Sequence, residues 1–490
     1  MTAHEDPIDT ALREVTPTFG PWPPAETLRS RAHRRRTRRR ATAGVGALAV
    51  GVAALLVVTT VIPGGPTAGP TRPVAANGPG YRVRVVSRTL PGGGTQLVAD
   101  VTGRALPAGT AALASATAAA EERFGLALTD RLAAGGTGNV VDSPLSAAVV
   151  LAELELGARG ATRTGIATAL QSPALTAAGQ AGGWGRLLAS LAHPPSGVTL
   201  HVATSAWLQQ GISFTPGYLA ALAQSFGDDA YQTDFRTSQA TAAINAWVAT
   251  QTAGRIKTLF APGSLDPSTI LVLANALHFD APWSPSLEMS ATPSETFTGA
   301  SGRPTTVPAV STEAVAPVRH GTPPVSARVT ASYTAVELPY AGGQEEAELI
   351  EPASLDSFLA GLTATGLDRI TTSLRPTDSA VTMPTLSLTD SHPLAKVLSS
   401  MGMAQAFGDA DLQGISPRAG SVSQVQQATR LVVDVHGTDA AAATGVAVSP
   451  SSAVADRRPI TIDHPYLLLL RDRQSGLVLM SAVIRDPAGG

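Results

Sequence analysis

The chain has 490 residues, a formal net charge of −2 and no cysteine, so disulfides and cysteine-ligated metals are impossible. A charge this close to balance gives no general attraction for nucleic acid, and none is expected as a partner. With 44% hydrophobic and 15% charged residues, the composition also excludes a disordered chain despite its proline and glycine content.

Eight arginines crowd positions 29 to 40, whereas the whole chain has only two lysines, Lys257 and Lys396. Residues 41–62 follow as an uncharged, mostly apolar run long enough to span a bilayer as a helix. The arginine flank places residues 1–40 in the cytoplasm as a basic head and the C-terminal bulk outside, a single-pass arrangement in the cell membrane. Pro73-Val74-Ala75-Ala76 offers small residues for a signal peptidase, so the alternative is a secreted, cleaved form. A head of this length carrying Glu5, Asp6, Asp9, Glu14 and Glu26 is long for a signal and favours the uncleaved anchor. Residues 63–80, rich in proline and glycine, read as a semi-extended tether. Residues 81–109 read as a hairpin turning at Pro91-Gly92-Gly93-Gly94, with no function attached to it.

The remainder, 110–490, is long enough for one compact α/β unit with a large sheet. Residues 111–134 have helical spacing, with Phe124, Leu126, Leu128 and Leu132 as core contacts. Asn139-Val140-Val141-Asp142-Ser143-Pro144-Leu145-Ser146 precedes an apolar helix over 147–156, closed by Gly157-Ala158-Arg159-Gly160-Ala161-Thr162. Residues 200–208 read as a strand, with a turn at Gly211 and a helix from about Pro216. Ile244-Asn245-Ala246-Trp247-Val248 leads to Thr252-Ala253-Gly254-Arg255-Ile256-Lys257, and then to the strand-like run 271–279, with Trp283 beyond it. Trp247 and His278 read as packing residues. After Glu337-Leu338-Pro339-Tyr340, the strand Ala347-Glu348-Leu349-Ile350-Glu351-Pro352 reads as short and acidic, and 394–407 as a helix with a glycine stop.

Residues 437–445 read Gly-Thr-Asp-Ala-Ala-Ala-Ala-Thr-Gly, and small residues continue to Ala455. In strand conformation Thr438, Ala440, Ala442 and Thr444 share one face. Side chains this small can slide between two existing strands, where large or charged ones would clash or need desolvation. The tail, 460–472 and 476–483, reads as two buried strands joined by a polar turn.

In this order and spacing, these segments resemble the serpins over roughly residues 110 to 487. The resemblance implies an α+β fold with a large central sheet, additional sheets, surrounding helices and an exposed reactive-centre loop. It further implies a monomeric suicide inhibitor, not an enzyme. A serine protease attacks the loop and forms its acyl-enzyme, and the cut loop then inserts into the main sheet and traps the enzyme. Carried over, Gly437 is the hinge pivot, and Thr438, Asp439, Ala440, Ala441, Ala442, Ala443 and Thr444 form the inserting segment. Ser143, Ser146, Asn275 and Gln427 match the shutter between the central strands, and Trp283 the breach where insertion begins. Gln427 stands where many members carry histidine, and an amide can still donate and accept hydrogen bonds. Val435 and His436 replace the acidic residues common before the hinge glycine.

Counting fifteen positions from Gly437 puts the reactive bond at Ser451-Ser452, whereas counting back from Pro465 gives Val454-Ala455. The first is preferred because the mechanism constrains the inserting length. Either bond suits a protease with a shallow apolar pocket, elastase-like or subtilisin-like. Other chemistries lack their motifs. Neither Lys257 nor Lys396 completes Ser-x-x-Lys, no Gly-x-Ser-x-Gly is present, and the histidines are too scattered for a zinc helix. No metal or cofactor is expected. The alternative is a serpin-fold binding module at the cell surface that does not inhibit.

Overall fold

The computed structural model describes residues 74–78, 80–90, 93–312, 316–321, 333–439 and 459–488. The basic head and the apolar run 41–62 lie outside them, as do Ala440 to Thr444 and both candidate reactive bonds. Among the described residues no helix is long and apolar enough to cross a membrane.

Among the described residues three sheets organise the fold. The main sheet has nine strands in the spatial order Val74–Gly78, Tyr81–Thr89, Thr95–Gly103, Ala230–Thr233, Thr199–Gln209, Leu271–Pro282, Gly437–Thr438, Gln424–Val433 and Leu386–Pro393. A seven-stranded sheet contains Tyr333–Pro339, Glu345–Pro352, Tyr466–Asp472 and Val478–Ile484 in succession, and ends on Val140–Asp142. A four-stranded sheet is built on the hairpin Met289–Thr298 and Pro304–Thr312.

The helix Pro144–Gly157 is mostly apolar and buried on nearly every side, its two glutamates, Glu153 and Glu155, included. It begins at Pro144, three residues before the position read from the sequence, because Ser143 caps it: its Oγ accepts from the Ser146 N–H at 3.3 Å. Ala111–Ala133 is a second long helix, capped by Thr110, with Phe124 and Leu128 fully enclosed. Residues 394–407, read as a helix with a glycine stop and a following turn, form an α-turn, a π-turn and a 3-10 turn in succession. Gly402, at φ 112°, breaks the run from within.

The hairpin 81–109 is no isolated appendage. Thr95–Gly103 pairs antiparallel with Ala230–Thr233 and so widens the main sheet at its edge. Gln224 fastens the return of the hairpin, accepting from the Ala105 N–H at 2.7 Å and donating to the Gly103 carbonyl at 2.6 Å. Val74–Gly78, within the stretch read as tether, is itself a strand paired with Tyr81–Thr89.

The acidic strand is full length, Glu345–Pro352, against seven residues in each neighbour. Its carboxylates are accommodated because the next strand supplies arginines. Arg471 donates to Glu348 at 3.1 Å and to Glu122 at 3.0 Å, and Arg473 pairs with Glu346 at 3.0 Å and Glu337 at 3.2 Å. Burial nevertheless pushes the carboxyls of Asp142 and Glu345 up to about 7 and that of Glu346, crowded by Glu337, up to about 9. Each holds its proton more tightly in the fold than in the unfolded chain. Their contribution is therefore complete below the ordinary carboxyl range of roughly 4 and is lost as pH rises through 7 to 9. The thermal midpoint should accordingly fall from pH 5 to pH 9 in calorimetry; a rise over that interval would mean that these carboxyls ionise freely inside the fold.

Candidate functional site

The two central strands of the main sheet, Leu271–Pro282 and Gln424–Val433, lie side by side along part of their length only. At the lower end they pair directly and in parallel, Gln424 with Val272 through Ala428 with Ala276. At the upper end Gly437–Thr438 stands between them, antiparallel to both: Thr438 is level with Ala281 on one side and Val433 on the other.

The lower, direct contact is bridged by a buried polar network. Gln427, paired with Asn275, donates to Asn275 Oδ1 at 2.9 Å and to the Ser143 carbonyl at 2.8 Å, while its own oxygen accepts from the Ser143 N–H at 3.1 Å. Ser146 Oγ donates to the same Asn275 oxygen at 2.9 Å, and Ser143 Oγ reaches the Leu479 carbonyl at 2.7 Å. The four residues named from the sequence are thus brought together, with Gln427 acting as both donor and acceptor. Asn275 Nδ2 donates to no described residue, although it is buried.

At the upper end Trp283 stacks on Tyr340 with ring centroids 4.7 Å apart. Its Nε1 donates to the Asp434 carbonyl at 2.8 Å, and its backbone N–H to that of His436 at 3.1 Å. Thr438, 1% exposed, points to the interior and shares a hydrogen bond of 2.5 Å with the Tyr340 hydroxyl. Gly437 is required where it stands. Its φ is 148°, and a β-carbon would collide with the Ala281 carbonyl oxygen. The sequence marks Gly437 as the pivot of an exposed loop; the fold seats Gly437 and Thr438 inside the sheet.

Asp439 is the last described residue before the loop and has a φ of 50°. Its N–H still donates to the Val432 carbonyl at 2.8 Å, in register with the sheet, but the positive φ turns the chain out. Its carboxylate is held on the outer face of the sheet by Arg430 and by Arg255 Nε at 3.2 Å, with His278 Nε2 at 3.9 Å. Burial, reinforced by the two arginines against the pull of Asp439, keeps His278 below the usual imidazole range. The ring of Tyr340 and the guanidinium of Arg255 are site groups that the sequence carried only as parts of segments resembling the family. No local pattern signals either partnership, because each is made across more than ninety residues of chain.

A family model described as Serpin (serine protease inhibitor) matches residues 119–487. An uncharacterized serpin-like protein of Thermococcus kodakarensis is 31% identical over 73% of this chain and 83% of its own length. Iripin-2 of Ixodes ricinus is 30% identical over 73% of this chain and 90% of its own. Among solved structures, the native state of the thermophilic serpin tengpin aligns with a TM-score of 0.66 at 21% identity, covering 75% of this chain and 93% of that one. Native protease nexin-1 with heparin aligns at 0.67 and 21%, covering 76% and 100%. The chain belongs to the serpin family, a family of inhibitors rather than enzymes, many of whose members inhibit serine proteases.

Replacing Gln427 by alanine strands the buried Ser143 N–H and removes the bridge to Asn275. The variant should lose about 1–3 kcal/mol of stability, seen as a lower urea midpoint at unchanged slope.

Proposed function

We propose that this chain is a suicide inhibitor of serine endopeptidases that acts by loop cleavage, acyl-enzyme trapping and insertion of the cut loop into the main sheet. One observation carries this reading: the central strands are held apart at one end by the first two hinge residues and remain zipped together at the other.

Continuing the register of Thr438 residue by residue brings Ala440 level with Phe279 and Leu431, Ala442 with Leu277 and Thr429, and Thr444 with Asn275 and Gln427. These residues share the inward face with Thr438, and each is small. The strand cannot pass the Gln427–Asn275 pair without separating it, so the polar bridge is the barrier that keeps the uncut molecule closed. Thr444 arrives at that level with a hydroxyl, and Asn275 Nδ2 is a buried donor with no described partner. Insertion would replace one direct parallel contact by two antiparallel ladders, which supplies the driving force.

The same register brings Val448 level with Leu271, where the slot ends. Ser451-Ser452 then lies just past the inserted strand, which favours it over Val454-Ala455 as the reactive bond. A serine or valine before the cut suits a protease with a shallow apolar pocket. Display outside the membrane through residues 41–62 is supported by the arginine flank and by Val74–Gly78, since a signal cut at Ala76 would divide a paired strand.

The test is to mix the full-length chain with subtilisin or an elastase and resolve the products on a denaturing gel, with mass spectrometry of the released peptide. A complex stable to denaturant is expected, with a C-terminal peptide beginning at Ser452. Cleavage without a complex and without a gain in thermal stability would leave the family fold in the role of a surface binding module.

Three substitutions sharpen the reading. Thr438→Arg would have to bury a guanidinium beside Tyr340, so the variant should be cut as a substrate with inhibition lost; retained inhibition would count against insertion. Ser451→Arg should turn preference toward trypsin-like enzymes, and a shift seen only with Val454→Arg would move the reactive bond.

A further inference from the structure

Arg255 follows the helix Gln239–Gln251, in a turn closed by Thr252: the Thr252 hydroxyl donates to the Val248 carbonyl at 2.9 Å and accepts from the Ile256 N–H at 3.0 Å. Ala253 and Gly254 both have positive φ, which swings the Arg255 side chain toward the main sheet. There its guanidinium touches three acceptors. Nε lies 3.2 Å from an Asp439 carboxylate oxygen, one terminal nitrogen donates to the Asp439 backbone carbonyl at 3.3 Å, and the same nitrogen lies 3.5 Å from Asp280.

The carbonyl contact decides the role. Asp439 already has its N–H in the ladder, yet its carbonyl, which an advancing strand would have to turn into the ladder, is engaged by Arg255. The contact coincides with the residue whose φ of 50° sends the chain out of the sheet. A guanidinium can grip a carboxylate and a carbonyl together because its donors are fixed in one plane, which a lysine ammonium cannot imitate.

We propose that Arg255 is a catch that stops the hinge after two inserted residues, so that release of Asp439 from Arg255 is a required step between the closed molecule and full insertion. It is a positioning residue, acting through Asp439, and the proposal rests on the insertion reading above. The device is separate from the Gln427–Asn275 bridge. That bridge lies on the inner face and resists the middle of the strand, whereas Arg255 lies on the outer face and resists its first advance.

The consequence can be read without a protease. The uncut full-length chain, incubated in mild detergent at moderately raised temperature, is sampled over time for conversion to a form of higher thermal midpoint. Arg255→Gln should convert roughly tenfold faster or more than the wild type, because about 1.4 kcal/mol removed from the barrier is tenfold in rate. Arg255→Lys should fall between the two, since it keeps the charge and loses the fork; conversion of this variant as slow as the wild type would overturn the two-point grip. Asp439→Asn, which tolerates positive φ and loses the charge, should convert faster than the wild type and serves if the arginine variants do not fold. Wild-type rates in Arg255→Gln and Asp439→Asn overturn the catch. Wild-type chain cut in the loop by subtilisin is the companion measurement. If it gains heat stability while the variants convert at the wild-type rate, the catch alone fails; if it gains none, the insertion reading itself fails.

Discussion

Everything in this fold depends on an incomplete contact between two strands. Leu271–Pro282 and Gln424–Val433 meet directly at one end and are wedged apart at the other by Gly437 and Thr438. A fully zipped sheet would have no place for another strand. A fully open one would leave two rows of backbone donors and acceptors unpaired in the interior, at a cost that no native state tolerates. The molecule lies between these extremes, and the buried bridge of Gln427, Asn275, Ser143 and Ser146 holds the boundary where it is.

Polar residues suit that boundary because hydrogen bonds can be exchanged. An apolar seam would pull the strands together without specifying where they part, whereas an amide such as Gln427 commits donor and acceptor to named partners and can commit them elsewhere. Asn275 Nδ2, buried without a hydrogen-bond partner among the described residues, marks the place where the closed state is imperfect. Around this seam the structure is closely packed. Pro144–Gly157 is enclosed on almost every side, and the strands Tyr466–Asp472 and Val478–Ile484 are buried throughout. On the insertion reading, such a close-packed surround would let a local rearrangement act as a switch rather than dissipate as general loosening.

The N-terminal strands change the edge of the sheet but leave its centre alone. Val74–Gly78, Tyr81–Thr89 and Thr95–Gly103 continue the ladder beyond Ala230–Thr233, so the chain enters the fold through the main sheet itself. The hairpin was legible from Pro91-Gly92-Gly93-Gly94 between two alternating runs; the strand at Val74–Gly78 was not, because it follows a proline- and glycine-rich stretch that reads as tether. Likewise the acidic run in Glu345–Pro352 reads as a weak strand until Arg471 and Arg473, more than a hundred residues on, are seen beside it.

By itself the sequence determined what local chemistry can determine. It supplied the small side chains at 438–444, the capping serine before a mostly apolar helix, the absence of any disulfide, and a string of segments whose order identifies the family. The tertiary structure alone decided how Gly437 and Thr438 are seated between the central strands. That Thr438 meets Tyr340 and Asp439 meets Arg255, and that Gln427 lies level with Asn275, depends on strand register and on side chains brought together from distant parts of the chain. No periodicity within a segment encodes such meetings, because they are fixed only when the sheets pack and each strand's alternation is set against its neighbours.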